Sequence, residues 1–219
     1  MDECCGPSHP DGYDEVFDGR FAQRVARRYG ARGLSRIERR LVEFLEEAGV
    51  RRATVLEIGG GVGEMQLELL ARGATRTVNV ELSNGYERDA ERLLSEAGVA
   101  DRVTRLVGLD VAVDPEAIEP ADLVVLNRVV CCYPEAERLL TAAASRARRA
   151  LVFSHPRRNW VIRSRVAIEN RMHRRAQVDF RSYVHRPQAM REAVRRAGFE
   201  IRDERSGLAW CTVGAVRAL

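Results

Sequence analysis

A chain of 219 residues with 45% hydrophobic and 31% charged residues has the length for one sizeable core and a balance that excludes a disordered or membrane-embedded protein. No apolar run approaches the roughly 18 residues that a bilayer crossing needs. The net charge of +4 hides an asymmetry: every basic residue is Arg, and residues 146 to 196 hold 15 of them against Glu169, Asp179 and Glu192. A basic stretch of this kind suits an acidic small molecule, an anionic membrane surface or nucleic acid, and a solvated helix face is its commonest cause.

The N-terminus, Met1-Asp2-Glu3-Cys4-Cys5, is acidic where a signal peptide is positive, so a cytoplasmic address is expected. The five cysteines, Cys4, Cys5, Cys131, Cys132 and Cys211, include two vicinal pairs and lack the spaced Cys-x-x-Cys of a zinc site, so no metal is expected. The first fifteen residues, rich in Pro, Gly and Asp, read as an arm without a core of its own. Two helices follow. In the second, Ser35 and Glu38 make a capping box, Leu34, Ile37, Leu41, Phe44, Leu45 and Ala48 share one face, and Gly49 stops it.

From residue 54 strands and helices alternate, which predicts a mostly parallel sheet with right-handed crossovers. Strands are expected at 54 to 58, 76 to 81, 103 to 107, 122 to 127 and 150 to 154. The helices between them are expected at about 63 to 72, 85 to 97 and 135 to 148, with Pro134 in the first turn of the third. Pro187 opens a further helix that Gly198 ends, and strands near 199 to 205 and 208 to 216 form an antiparallel hairpin at one edge through Arg205-Ser206-Gly207. The fold class is therefore α/β, a Rossmann-like doubly wound sheet with N-terminal helices. Residues 1–49 are the arm and helical cover and 50–219 the main domain, in which 157–185 is an Arg-rich helical insertion over the substrate site.

The strongest local signal is VLEIGGGVGEMQLELL, a buried strand running into a glycine turn and then a helix. Gly59, Gly61 and Gly63 remove side chains where the backbone bends sharply and meets a ligand, and the helix start behind them is expected to offer free N–H groups. Glu57 places an acid at the strand end, which suits a ligand with a positive amino group and repels a pyrophosphate. The dinucleotide fingerprint also fails, because Glu64 stands where its third glycine belongs. Glu81 ends the second strand, where an acid accepts both ribose hydroxyls.

The pattern Glu57-x-Gly59-x-Gly61-x-Gly63 resembles motif I of class I S-adenosylmethionine-dependent methyltransferases, and the resemblance extends over residues 50 to 219. It implies S-adenosyl-L-methionine as cofactor, held by Glu57, the three glycines and Glu81 with Leu82, and by Asn127 at the end of the fourth strand. It also places Asp110 and Val111 against the adenine; a cap or turn role for Asp110 stands equally open. The segments FDGRFAQRVARRYG, DLVVLNRVVCCYP, PRRNW and YVHRPQAMREAVRRAGFEI are more narrowly similar to the branch containing magnesium-protoporphyrin O-methyltransferases. That branch typically has His before its Tyr-Pro pair, where this chain has Cys132 before Tyr133-Pro134.

Ligands of open α/β sheets bind at the carboxyl ends of the strands, so 127–133 and 155–160 are expected on the substrate side. His155 is the first candidate for a general base and Tyr133 the second catalytic candidate, with Cys132, Trp160, Tyr183 and His185 beside the acceptor. Methyl transfer from a sulfonium also proceeds by alignment and desolvation without a base. The expected function is O-methylation of an acidic or aromatic small molecule. Alternatives are an RNA methyltransferase and a non-catalytic cofactor-binding protein; few aromatics among the arginines disfavour nucleic acid. Acceptor and oligomeric state are not readable.

Overall fold

The computed structural model describes residues 10–218, so the Cys4 and Cys5 pair lies outside the described residues. Seven strands form one sheet: β1 (Thr54–Ile58), β2 (Arg76–Glu81), β3 (Val103–Val107), β4 (Ala121–Leu126), β5 (Ala147–Pro156), β6 (Phe199–Ser206) and β7 (Trp210–Arg217). Their order is β3-β2-β1-β4-β5-β7-β6, parallel from β3 to β5, with β7 antiparallel to both of its neighbours. The hairpin β6–β7 thus forms the expected edge, although its connection is Gly207 to Ala209.

Eight α-helices surround the sheet: α1 (Pro10–Val16), α2 (Gly19–Arg32), α3 (Arg36–Glu47), α4 (Glu64–Ala71), α5 (Glu87–Glu96), α6 (Ala136–Ser145), α7 (Trp160–Arg175) and α8 (Pro187–Arg196). One core layer packs Leu56, Val124, Leu151 and Phe153 of the sheet against Leu139 and Leu140 of α6 and Met190 and Val194 of α8. The opposite layer packs Val55, Leu123, Val125 and Val152 against Leu41 and Leu45 of α3 and Met65 and Leu69 of α4. Both faces of the central strands are covered, which is why they read as continuous apolar runs, whereas β6 alternates between its two faces. The capping box at the start of α3 is formed, Glu38 Oε2 accepting from Ser35 N at 2.6 Å.

Three expectations are corrected. Helix α6 ends at Ser145, not 148, because β5 already begins at Ala147, just after Arg146, whose carbonyl accepts from Ala121 N at 2.9 Å. Sheet pairing there overrides the helical preference of an Ala- and Arg-rich stretch. Pro134 precedes the helix, which begins at Ala136, so Cys131 to Pro134 form a loop. The supposed arm is helical from Pro10 on, with Tyr13 buried and its ring edge-on to Phe180 at 5.8 Å. Aromatic pairing across 167 residues of sequence is invisible in a Pro-, Gly- and Asp-rich composition.

Candidate active site

Glu57 is the penultimate residue of β1, and past Ile58 the chain bends through Gly59 (φ 65°), Gly61 (φ 53°) and Gly63 (φ 85°) into α4. A Cβ at Gly59 would lie 2.6 Å from Val129 Cγ2, and one at Gly60 would lie 2.6 Å from the Glu57 carboxyl carbon, so the bend is folded tightly over the acid. Four amides of the bend itself are taken. Gly59 N donates to Val80 O (2.7 Å), Gly60 N to Asn79 Oδ1 (3.1 Å), Gly61 N to Glu81 Oε2 (3.0 Å) and Gly63 N to Gly60 O (2.9 Å). A turn with these amides occupied is no phosphate cradle, which adds a structural reason to the electrostatic one against a pyrophosphate.

Glu81, at the end of β2, also accepts from Leu82 N (2.9 Å) and Ser83 N (3.3 Å) through Oε1. Oε2, with one donor, keeps a lone pair for a further one. Arg105 on β3 locks the same bend from behind, donating to Gly61 O at 2.9 Å while paired to Glu87 at 2.6 Å. Glu57 and Glu81 both line one hollow of about 1040 Å³, measured with its solvent-open part. Glu57 Oε2 is buried there without a hydrogen-bond partner. Burial, then Glu64, push the Glu57 carboxyl well above its ordinary range; burial also raises Glu81, opposed by its three backbone donors. An orphaned, desolvated carboxylate calls for a cationic partner.

The expected site residues divide into two groups. Leu82, Asp110, Val111, Asn127, Cys132 and Tyr133 line this hollow with Glu57, Gly59, Gly61 and Glu81. Gly63 stands behind the bend as the N-cap of α4. Asp110 takes the turn role, Oδ1 capping Ala112 N at 2.8 Å, while Oδ2 accepts from Tyr133 OH at 3.0 Å within the wall. Burial and then Asp110 hold the Tyr133 phenol well above its ordinary value. Its hydroxyl is therefore a neutral donor to Asp110. The Cys132 thiol is likewise held protonated, by the Cys131 thiol 3.6 Å away and then by burial.

His155, Trp160, Tyr183 and His185 do not line the hollow. His155 is buried on the α6 and α8 side of the sheet, its Nδ1 3.0 Å from Pro156 O, and burial lowers its pKa. It sits on β5 beside Phe153 because β5 runs two residues beyond the expected end at 154, carrying the imidazole into the sheet. His185 lies 3.0 Å from Tyr133 O and stacks on Tyr183, bracing the 131–134 loop from outside. Trp160, 77% exposed, starts α7, which has no buried residue. Helix α7 forms within the Arg-rich segment but leaves the hollow uncovered.

The cover comes from α1 and α2 instead, through Tyr13, Phe17, Phe21, Val25 and Arg28. Tyr13 OH donates to Cys132 O at 2.8 Å, and Phe17 stacks on Tyr86 at 6.3 Å. Arg28 bridges Glu38 (3.1 Å) and Glu64 (3.2 Å) inside the hollow. Sequence reading missed Arg28, Glu64 and Arg128 here; Glu64, next after Gly63, was the one with a signal.

A sheet of this order, with β7 wedged antiparallel between β5 and β6 and two acids meeting over a glycine bend, defines a Rossmann-like methyltransferase. More particularly, the chain belongs to the family of the methyltransferase domain, whose model matches residues 26–204. It is an enzyme of that class. No curated protein matches it in sequence. Among solved structures it is similar to magnesium protoporphyrin IX methyltransferase from Synechocystis PCC 6803 with bound S-adenosylhomocysteine: TM-score 0.72, 19% identity, 95% of this chain and 98% of that one. It is also similar to an O-methyltransferase family protein from Burkholderia thailandensis (TM-score 0.69, 21% identity, 97% of this chain and 64% of that one). A third is an O-methyltransferase family 2 protein from Planctomyces limnophilus in complex with apigenin (TM-score 0.62, 17% identity, 91% and 62%). No described helix is long and apolar enough to cross a membrane, and no group of three or more metal-ligating side chains occurs among the described residues.

Proposed function

We propose that this enzyme transfers the methyl group of S-adenosylmethionine to an oxygen of an acidic or aromatic small molecule. The observation that carries the donor assignment is the orphaned Glu57 Oε2, desolvated in the same hollow as Glu81. Glu57 would take the methionyl ammonium and Glu81 the ribose hydroxyls, with Asp110 and Val111 toward the adenine. The bound donor supplies a methyl carbon on a sulfonium, a centre with a neutral thioether leaving group.

The residues around the hollow act by placement. No histidine among the described residues lines it, Tyr133 is committed to Asp110, and Cys132 is a neutral thiol. With Glu81 tied to backbone amides and Glu64 paired to Arg28, an acceptor already anionic, a carboxylate or phenolate, suits the site best. Its oxygen forms the new bond to the methyl carbon as the carbon–sulfur pair retires to sulfur, and no proton needs to move. Tyr13, Phe17, Phe21 and Leu109 supply the apolar wall that strips water from the acceptor. The apigenin bound in one structure of similar fold and the magnesium protoporphyrin IX in the name of another support an aromatic or acidic acceptor.

The test is calorimetry with S-adenosylhomocysteine, followed by an assay of S-adenosylhomocysteine formed from S-adenosylmethionine over aromatic carboxylic acids and phenols. Micromolar binding with turnover of at least one such acceptor is expected; absence of binding at millimolar ligand overturns the donor assignment. The exposed arginines of α7 favour one second reading, methylation of RNA. Steeply salt-dependent RNA affinity would establish it over the small-molecule reading.

A further inference from the structure

Arg128, the second residue past β4, adopts φ 60°, a left-handed backbone that a long side chain rarely occupies. The surroundings enforce it. Arg128 N donates to Ser154 Oγ at 2.8 Å, Ser154 Oγ donates to Asn127 Oδ1 at 3.0 Å, and Arg128 O accepts from the thiols of Cys131 (3.3 Å) and Cys132 (3.4 Å). Its guanidinium carbon lies 5.2 Å from the centre of the Trp210 ring, which fixes the side chain from β7.

This firmly held side chain couples to Glu64 electrostatically but without a contact ion pair. Among the described residues Arg128 makes no ion pair, and its Nε is buried without a hydrogen-bond acceptor. The other arginines at the bend are committed, Arg28 to Glu38 and Glu64 and Arg105 to Glu87. Arg128 lines the hollow between Asn127 and Val129, next to the glycine bend that Val129 contacts. A desolvated donor without an acceptor costs free energy unless a ligand supplies one, and a planar fork of donors matches a carboxylate.

Resting on the donor assignment above, we propose that Arg128 is the carboxylate-binding residue of this hollow, pairing with either the α-carboxylate of the donor or a carboxylate of the acceptor. The first source completes recognition of the zwitterionic methionyl group, with Glu57 on its ammonium. The second would orient an acidic acceptor toward the methyl group.

The experiment compares the wild type with Arg128→Gln and Arg128→Lys, using S-adenosylhomocysteine and 5′-methylthioadenosine, which lacks the amino-acid part. If the donor's carboxylate is bound, Arg128→Gln weakens S-adenosylhomocysteine roughly ten- to a hundredfold. Methylthioadenosine affinity then stays unchanged, and Arg128→Lys recovers part of the loss. If the acceptor's is bound, both nucleosides keep their affinities. Benzoate binding to the S-adenosylhomocysteine-loaded protein is then lost in Arg128→Gln, while benzyl alcohol binding is not. An equal loss for both nucleosides marks a purely structural arginine and overturns the proposal, as does unchanged S-adenosylhomocysteine affinity without Arg128-dependent benzoate binding. Failure of the wild type to bind either nucleoside sinks the donor assignment instead.

Discussion

Glu57, Glu64 and Glu81 sit within one wall, and their environments separate their roles. Glu81 is tied to three backbone amides and stays a fixed acceptor, so Glu81→Ala removes both the ribose contact and the brace on Gly61. S-adenosylhomocysteine affinity should fall by about tenfold or more, measured by calorimetry. Glu64 is the titrating member: burial raises it from 4.5 to about 7, with Glu38 adding and its own backbone amide and Arg28 opposing. Between those two values the folded chain keeps a proton that the unfolded chain has released. Stability from this group therefore declines as pH rises through that window and is level above it. Glu64→Gln should abolish the decline, changing the wild-type-minus-variant difference by up to about 3 kcal/mol between pH 4.5 and 7.5 in urea unfolding. A cationic ligand favours the ionised form, so donor affinity should increase from pH 6 to 8 in the wild type and vary less in Glu64→Gln.

At the scale of elements, the hollow depends on how the turn between β2 and α5 receives the junction of α1 and α2. Ser83 Oγ lies 2.6 Å from Asp14 Oδ1, and Asn84 N donates to the same oxygen at 3.0 Å. A Cβ at Gly85 would lie 2.1 Å from Phe17 O, a backbone approach that only glycine permits. Gly85→Ala should cost ~2 kcal/mol by overpacking, lowering the melting temperature by about 4–8 °C for a chain of this size. Calorimetric scanning checks this, and a shift under 1 °C would show that the junction yields freely. Gly214 has the same meaning on the far side of the sheet, where a Cβ would lie 2.5 Å from the Phe44 ring of α3. Neither glycine carried a local signal, because each is required by an element distant in sequence. The glycines of the bend were legible since strand, turn and helix adjoin in the chain.

For the whole molecule, the sheet supplies the donor-binding wall and the N-terminal helices supply its cover. Deleting residues 1–18 should leave the α3, β1–β7 core folded, since that core packs through α3, α4, α6 and α8. Donor affinity should nevertheless drop by about tenfold as Tyr13 and Phe17 are lost from the hollow. Circular dichroism and calorimetry on the truncated chain separate the two effects; full affinity would show that the cover is dispensable. Helix α7, by contrast, exposes Val161, Ile168 and Met172 and contributes no wall to the hollow.

Alternation of apolar runs and glycine stops determined the doubly wound sheet, and the acid–glycine spacing determined where a donor would sit, because periodicity and short-range spacing are properties of contiguous chain. The tertiary structure alone decided which side chains share the hollow: it left His155 inside the sheet, put Tyr13 and Arg28 over the bend, and left Arg128 without a contact ion pair among the described residues. Those outcomes turn on strand register and on contacts between residues far apart in sequence, where a two-residue extension of β5 suffices to carry an imidazole out of reach.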